Sequence, residues 1–362
     1  MSTFKPTPHS VLHLGKRTVL VFVVFLGGLI TSVTILTARA DPEAEDTVIR
    51  LAVNHIDSQL GAVAASAEAL GKAYLGLIGT QGTISRAQAL AWRKQTVTKG
   101  SATLIKTWPD TLQDGPAFQA EYPSYLSYND PDLSNSTLRN FAVFDKLTVA
   151  FRTAYESLPF SWVYFTSAEH AFMIYPFVPL ANAENNGTPT NTTFYQAADF
   201  ENKRSGWTEP YLDLVGAGMM VTVSYPVFQG ELLLGVMSRD VTLEQATKSV
   251  LADLGINGYI ALLVNAQGLA IDSSDPALAA EIADINSMAK AAVLYYRTAD
   301  GLADLKQQDA VASQSTSIND IVETALANAN GGVSVHTIQA RKVSVGQVPT
   351  TGWYLLMIGP KS

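Results

Sequence analysis

The sequence predicts an α+β fold in which one long helix precedes two modules built on antiparallel sheets. Three observations lead to this prediction. Apolar residues recur at helical spacing from Ile49 to Tyr74. Strand-like runs joined by short turns follow this helix. The same plan of strands and helices then recurs once, further along the chain.

Composition first limits the classes of function. The chain has 362 residues, a formal net charge of -8 and no cysteine. The acidic balance gives no basic surface for nucleic acid, and the lack of cysteine excludes disulfides, thiolate catalysis and cysteine metal sites. Sequence patterns of a nucleophilic serine, a phosphate-binding loop and a dinucleotide site are missing. We therefore expect a protein that is not an enzyme, with neither a metal nor a cofactor.

An apolar segment near the N-terminus predicts a transmembrane helix. Residues 18–38 contain no charge and are about as long as the ~20 residues that a helix needs to cross a bilayer. Lys16 and Arg17 precede them, so the positive-inside rule predicts a cytoplasmic tail of residues 1–17 and a periplasmic or extracellular bulk. The small-x-small sequence Ala38-Arg39-Ala40 also fits a cleavable signal peptide, although the apolar core is long for one.

Residues 41–80 are predicted to form a stalk helix. Asp41-Pro42 suits a first helical turn. The apolar residues that follow alternate spacings of four and three: Ile49, Val53, Ile56, Leu60, Val63, Ala67, Leu70 and Tyr74. This heptad-like stripe suits packing on the protein's own sheet, or pairing with a second copy in a homodimer. Different faces of one helix can serve both purposes.

Residues 81–250 are predicted to form the first sheet module. A helix is expected from Arg139 to Ser157, and the clearest hairpin turns at Gln229-Gly230. Because side chains alternate along a strand, each strand of this hairpin has two faces. The first strand places Val221, Val223 and Tyr225 on one face and Met220, Thr222 and Ser224 on the other, and the second strand places Leu234, Val236, Ser238 and Asp240 together.

Residues 251–362 are predicted to form the second sheet module. Two strands are expected around a turn at Asn265–Gly268, followed by helical sequence over 276–299 and 318–327. Two further strand-like runs, GGVSVHTIQARKVSV and GWYLLMIGP, complete the second plan. This module has no cluster of aromatic residues with an acid like the one in the first module.

The whole arrangement resembles a double Cache (dCache) ectodomain, a type found in chemoreceptors, sensor kinases and cyclase-type receptors. The resemblance covers residues 18–362 and is most specific over residues 194–245. There, an aromatic pair is followed by the element WTEPY, a strand, a Pro-Val hairpin and the element GVMSRD. The resemblance implies two PAS-like modules, with a small-molecule site in the membrane-distal one (residues 81–250) and the other, residues 251–362, proximal to the membrane.

The resemblance also implies the residues that contact the ligand, which are Phe194, Tyr195, Trp207, Tyr211, Tyr225 and Asp240. In the family, the aspartate at the position of Asp240 typically binds a ligand's ammonium group. Thr192 stands where the family has an arginine that binds the carboxylate of an amino acid. Threonine cannot form that two-pronged bond. An amine or another cation is therefore favoured, held by Asp240 beside aromatic rings.

Several of these residues also have a purely structural interpretation. Trp207 and Tyr211 could pack the sheet against the long helix, and Asp240 could cap a helix that begins near Val241. The leading expectation is a membrane-anchored sensor of an amine or amino-acid-like molecule, with its output domain on a longer protein or on a partner chain. The alternatives are a ligand-binding protein without signalling output and a structural ectodomain that mediates dimerisation.

Overall fold

The computed structural model describes residues 21–22, 34–35, 42–105, 122–157, 162–183, 188–212, 219–255, 258–286 and 292–361. Within these ranges the chain is an α+β protein with an N-terminal helix and two large antiparallel sheets, as predicted. The helices are α1 (Pro42–Thr80), α2 (Arg86–Arg93), α3 (Asn135–Ser157), α4 (Leu180–Ala183), α5 (Thr193–Gln196), α6 (Leu243–Leu254), α7 (Pro276–Ile285), α8 (Ala299–Leu305) and α9 (Thr316–Ala327).

The strands that the structure describes are numbered in chain order. They are β1 (Val21–Phe22), β2 (Thr34–Ile35), β3 (Thr96–Lys99), β4 (Ala102–Ile105), β5 (Ser124–Tyr128), β6 (Val163–Ser167), β7 (Ala171–Tyr175), β8 (Gly206–Trp207), β9 (Tyr211–Leu212), β10 (Met219–Gln229), β11 (Leu232–Thr242), β12 (Ile260–Val264), β13 (Ala270–Ser273), β14 (Val293–Tyr295), β15 (Ala310–Ala312), β16 (Val333–Ile338), β17 (Arg341–Gln347) and β18 (Tyr354–Lys361).

The predicted transmembrane helix lies almost entirely outside the described residues, as does the tail of residues 1–17. Strands β1 and β2 are the described part of it, and they pair with each other. Among the described residues, no helix has the length and apolar character needed to cross a membrane. The span stays a prediction from the sequence.

Helix α1 packs on both large sheets through its predicted stripe. Every residue of the stripe from Ile49 to Tyr74 is buried. The stripe up to Ala67 belongs to a core shared with β10, β11, β12 and β18, and Leu70 and Tyr74 belong to a second core with α3 and β6. The stripe therefore serves packing on the protein's own sheets, which is one of its two predicted uses. A homodimer through another face of α1 stays a prediction.

The larger sheet has nine strands, in the order β3-β4-β5-β7-β6-β11-β10-β8, with β9 also paired to β10. Helices α1 and α3 cover one of its faces. A smaller aromatic cluster that includes Tyr164, Phe172 and Phe177 covers part of the other face. The long β10–β11 hairpin turns at Gly230, whose φ of 62° suits glycine. This hairpin positions the candidate site.

The smaller sheet has five strands, in the order β13-β12-β18-β17-β16. Both faces of β12 and β18 are buried, one under α7 and α9 and the other toward α1 and α6. The predicted helix over 276–299 is wrong at residues 293–295. There the run Val-Leu-Tyr forms β14, which pairs in parallel with β15, because valine and tyrosine suit a strand.

Candidate functional site

A row of buried polar side chains lies on β10 and β11, on the sheet face turned away from α1. The register pairs Thr222 with Asp240 and Ser224 with Ser238, and directly opposed residues of an antiparallel pair share one face. All four are buried. Arg239, one residue along the strand, contacts α1 instead. We call Thr222, Ser224, Ser238 and Asp240 the polar strip.

Two hydroxyl groups hold the carboxylate of Asp240. Its Oδ1 atom accepts hydrogen bonds from Tyr164 Oη at 2.8 Å and from Thr222 Oγ1 at 2.6 Å. Burial, and then the charge of Asp240, raise the pKa of Tyr164 well above its ordinary value, so its phenol stays protonated and donates. Both donors are neutral groups. They fix the orientation of the carboxylate.

Tyr211 extends this hydrogen-bond chain. Its hydroxyl lies 2.7 Å from Thr222 Oγ1. Because threonine has one hydroxyl proton and donates it to Asp240, Tyr211 is the donor in this pair. The order of donation is therefore Tyr211 to Thr222 to Asp240. A group that replaced the Tyr211 hydroxyl would be linked to the Asp240 carboxylate through the hydroxyl of Thr222.

Phe194 joins the same face through its ring and its backbone. Its ring meets that of Tyr164 edge to face, with the ring centroids 5.3 Å apart. Its carbonyl accepts a hydrogen bond from Ser224 Oγ, and Ser224 Oγ also lies 2.9 Å from Ser238 Oγ. Phe194 is half-buried. An aromatic wall therefore stands beside the polar strip.

Thr192, at the position where the resemblance implies an arginine, has a local structural role. Its hydroxyl accepts a hydrogen bond from the Tyr195 backbone N–H and so caps the short helix α5. The same hydroxyl donates to the Pro189 carbonyl at 2.7 Å. Thr192 thus closes the turn that presents Phe194, and it supplies no charge for a ligand's carboxylate.

The structure brings together only some of the six predicted site residues. Asp240, Tyr211 and Phe194 meet on the polar-strip face. Tyr195 is buried in a neighbouring cluster with Ala198 and Val236, and burial raises the pKa of its phenol to about 12.

Trp207 and Tyr225 lie on the opposite face of the sheet. Trp207 pairs with Val223 and packs against the core beside α1, as its structural interpretation predicted. The ring of Tyr225 lies against Gly71 of α1. Placing these two in one pocket with Asp240 is therefore incorrect. Strand side chains alternate between faces, and both residues have the parity of the α1 face.

The predicted capping role of Asp240 is also wrong. Helix α6 begins at Leu243, and its N-cap residue is Thr242. Asp240 lies within β11 instead, where its backbone N–H donates to the Trp162 carbonyl at 2.9 Å. The side chain is accordingly available to the hydroxyl groups of the polar-strip face.

Sequence reasoning did not place Tyr164, Ser238 or Arg239 among the site residues. One signal was present: Thr222, Ser224, Ser238 and Asp240 recur at a spacing of two within otherwise apolar strands. Arg239 is 1% exposed and its Nη1 donates to Ser66 Oγ of α1 at 2.9 Å. Burial lowers the pKa of its guanidinium to about 10, so it remains charged at neutral pH. It ties the strand of Asp240 to the long helix.

A comparison with known families concerns this same region. Residues 135–248 match the family model described as methyl-accepting chemotaxis protein-like, first PDC sensor domain. The resemblance to a double Cache sensor is confirmed. The matched segment of the chain contains the polar strip, Tyr164, Phe194 and Tyr211. No curated protein matches the chain.

Several solved sensor domains are similar to the chain. The ligand-binding domain of the Pseudomonas aeruginosa PAO1 amino acid chemoreceptor PctC, in complex with GABA, is 22% identical with a TM-score of 0.39, over 60% of this chain and 80% of that one. That of PctB from the same organism, with L-Gln, is 16% identical with a TM-score of 0.37, over 60% and 75%. That of Pseudomonas fluorescens CtaA, with L-serine, is 20% identical with a TM-score of 0.35, over 61% and 80%.

The described part of the chain holds no group of three or more histidine, cysteine, aspartate or glutamate side chains arranged to bind a metal ion. The polar strip and its neighbours offer hydroxyl groups, a carboxylate and aromatic rings.

Proposed function

We propose that the chain is a membrane-anchored extracytoplasmic sensor that binds a small amine or amino-acid-like molecule at the polar strip and passes a conformational signal toward the membrane. In this proposal residues 41–80 are the stalk, residues 81–250 the distal module and residues 251–362 the proximal module. The observation that supports it most directly is the buried carboxylate of Asp240 beside aromatic rings, within the segment that matches a sensor domain model.

The favoured ligand carries a positive charge. Tyr164 and Thr222 donate hydrogen bonds to Asp240 that orient the carboxylate, and these two donors carry no positive charge of their own. A charge-assisted hydrogen bond from an ammonium group is about twice as strong as a neutral one. The ring of Phe194 adds an aromatic surface next to the carboxylate. Because Thr192 stands where the resemblance implies an arginine, a ligand's carboxylate should contribute less to affinity than it would beside an arginine.

The connection to the long helix supports a signalling role. Asp240 and Arg239 are neighbours on β11, and they face opposite sides of the sheet. Arg239 contacts Ser66, so a shift of β11 on ligand binding also displaces a buried charge that is bonded to α1. A ligand that binds one position of β11 more tightly would shift the equilibrium of α1 by the difference in affinity.

The test is a thermal-shift and calorimetric screen of the full chain, beginning with GABA, L-glutamine, L-serine and simple alkylamines. Binding to the native state raises the melting temperature by mass action. We expect a binding amine to lose at least about tenfold in affinity in Asp240→Asn, which keeps the shape but removes the charge. The matched control is Glu201→Gln, which neutralises an exposed carboxylate outside the polar strip.

Two results would contradict the proposal. Unchanged amine binding in Asp240→Asn would show that the ligand does not use the polar strip. A screen in which no compound binds would favour a structural ectodomain. For the signalling part, the ligand should change the distance between spin labels placed on α1 and on β17. An unaltered distance at saturating ligand would favour a ligand-binding protein without signalling output.

A further inference from the structure

A cavity lies at the end of the nine-stranded sheet where α1 ends. Its volume is about 270 Å³. The last turns of α1, the start of α3, the β6–β7 turn and the β10–β11 hairpin enclose it. None of the polar-strip residues lines it within the described part of the chain. It is therefore separate from the site at Asp240.

The floor of this cavity is polar and fixed. Tyr74 is buried, and its Oη donates to Asn140 Oδ1 at 2.6 Å. Asn140 Nδ2 in turn donates to the Ser136 carbonyl at 3.0 Å. The ring of Tyr74 stacks on Phe165, with the centroids 4.0 Å apart. These contacts restrain the side chains of Tyr74 and Asn140, and restrained groups lower the entropy cost of binding a small molecule.

Two opposite charges line the same cavity, Arg139 and Glu169. Both act on the hydroxyl at the floor: burial raises the pKa of Tyr74, the charge of Arg139 lowers it and the charge of Glu169 raises it. The two charged groups belong to different elements of the fold, and both lie close enough to the Tyr74 hydroxyl to act on it electrostatically.

The two charges have unused binding capacity. Arg139 makes only long contacts, from Nη2 to the carbonyls of Ile78 and Gln81 at 3.4 and 3.5 Å, among the residues the structure describes. Within the same residues, Glu169 has no hydrogen bond or salt bridge. Both side chains are exposed at the cavity mouth. A guanidinium has five N–H donors and a carboxylate about four acceptor positions, so each can bind a ligand group.

We propose that this cavity is a second binding site, whose ligand is a zwitterionic α-amino acid. The ligand's carboxylate contacts Arg139, whose planar fork matches it. Its ammonium group contacts Glu169. Leu232, Leu233 and Leu234 line the cavity and provide an apolar wall for the ligand's side chain. This inference does not rest on the function of the polar strip.

The site would also bear on α1. Tyr74, Ile78 and Gly79 bring the end of the long helix into the cavity wall, opposite the two hairpins. A ligand that bridges Arg139 of α3 and Glu169 of the β6–β7 turn would hold these elements against the last turn of α1. Amino acid binding here is therefore expected to reduce hydrogen exchange at the end of α1.

The test is calorimetry on the full chain with L-leucine and two analogues, each of which lacks one of its two charges. L-leucine carries both charges, L-leucinamide lacks the carboxylate, and 4-methylpentanoate lacks the ammonium group. We expect L-leucine to bind at least about tenfold more tightly than either analogue at this site. Arg139→Gln and Glu169→Gln should each weaken L-leucine by at least about tenfold. Asp240→Asn should leave it unchanged.

Matched controls are Arg86→Gln and Glu201→Gln, which remove exposed charges away from the cavity. If Arg139→Gln does not fold, Glu169→Gln and the comparison of the three compounds on the unaltered chain still decide. The proposal is overturned if both charge variants bind L-leucine normally, if 4-methylpentanoate binds as tightly as L-leucine, or if no binding of L-leucine is found. Loss of L-leucine binding in Asp240→Asn alone would assign the amino acid to the polar strip.

Discussion

At the scale of single residues, the hydroxyl of Tyr164 is the most informative group to remove. Tyr164→Phe keeps the ring against Phe194 and removes a donor from a buried carboxylate. We expect the free energy of unfolding to fall by ~1.5–3 kcal/mol, the range for a hydrogen bond to a charged group. The matched control is Tyr128→Phe, whose hydroxyl makes a longer bond, 3.3 Å, to the neutral Ala183 carbonyl.

Tyr128→Phe should cost about 0.5–1.5 kcal/mol, as for a neutral hydrogen bond. Urea unfolding of the two variants and the unaltered chain measures both changes. Equal losses in the two variants would mean that the partner of Tyr164 is not a charged carboxylate in the folded protein. That result would also weaken the case for a cationic ligand at Asp240.

The positions of the site residues show which of their contacts can be predicted from the sequence alone. Alternation along β10 is enough by itself to separate Tyr225 from Thr222 and Ser224. It cannot say that Asp240 shares the face of Thr222, because this depends on the register between β10 and β11. Tyr164 is 76 residues away from Asp240 in sequence. No local pattern indicates such a contact, since it arises only when β6 pairs with β11.

At the scale of elements, helix α1 offers two glycines with opposite surroundings. A Cβ at Gly71 would lie 2.7 Å from Tyr225 Cδ1, whereas a Cβ at Gly61 would have no atom within 4 Å apart from the neighbouring backbone of its own helix. Alanine favours a helix over glycine by roughly 0.5–1 kcal/mol. Gly61→Ala should therefore stabilise the chain by about that amount. Gly71→Ala should destabilise it by ~1–3 kcal/mol, because the sheet cannot move away without cost.

Thermal or urea unfolding of these two variants gives the sign of each change directly. Stabilisation by both substitutions would mean that α1 does not lie against Tyr225 as the structure has it. Ligand binding in Gly71→Ala should also weaken if the position of α1 is coupled to β10, while Gly61→Ala should bind as the unaltered chain does.

The elements themselves were predictable to different degrees. The long helix and the β10–β11 hairpin follow from patterns that local physics explains, a heptad-like stripe and strict alternation. Strand β14 was missed because its three residues form a strand only through pairing with β15, which follows beyond helix α8. Short strands held by a distant partner have too little local pattern to be distinguished from helical sequence.

At the scale of the whole molecule, one hydrophobic core joins the two sheets. It contains Val53 and Leu60 of α1, Val223 of β10, Leu263 of β12 and Leu355 of β18. Gly346 of β17 lets α1 approach closely, since a Cβ there would lie 2.7 Å from Val53 Cγ2. A core shared in this way cannot be opened on one side without exposing apolar surface on the other.

We therefore expect both sheets to unfold in one cooperative step, although a chain of this length often unfolds in parts. Native-state hydrogen exchange measured by mass spectrometry in increasing urea would test it, with peptides from β10–β11 and from β12 and β18 compared. The two sets should lose protection at the same urea concentration. If β12 and β18 lost protection at a lower urea concentration, the smaller sheet would be an independent folding unit. Any movement of α1 would then not depend on the smaller sheet.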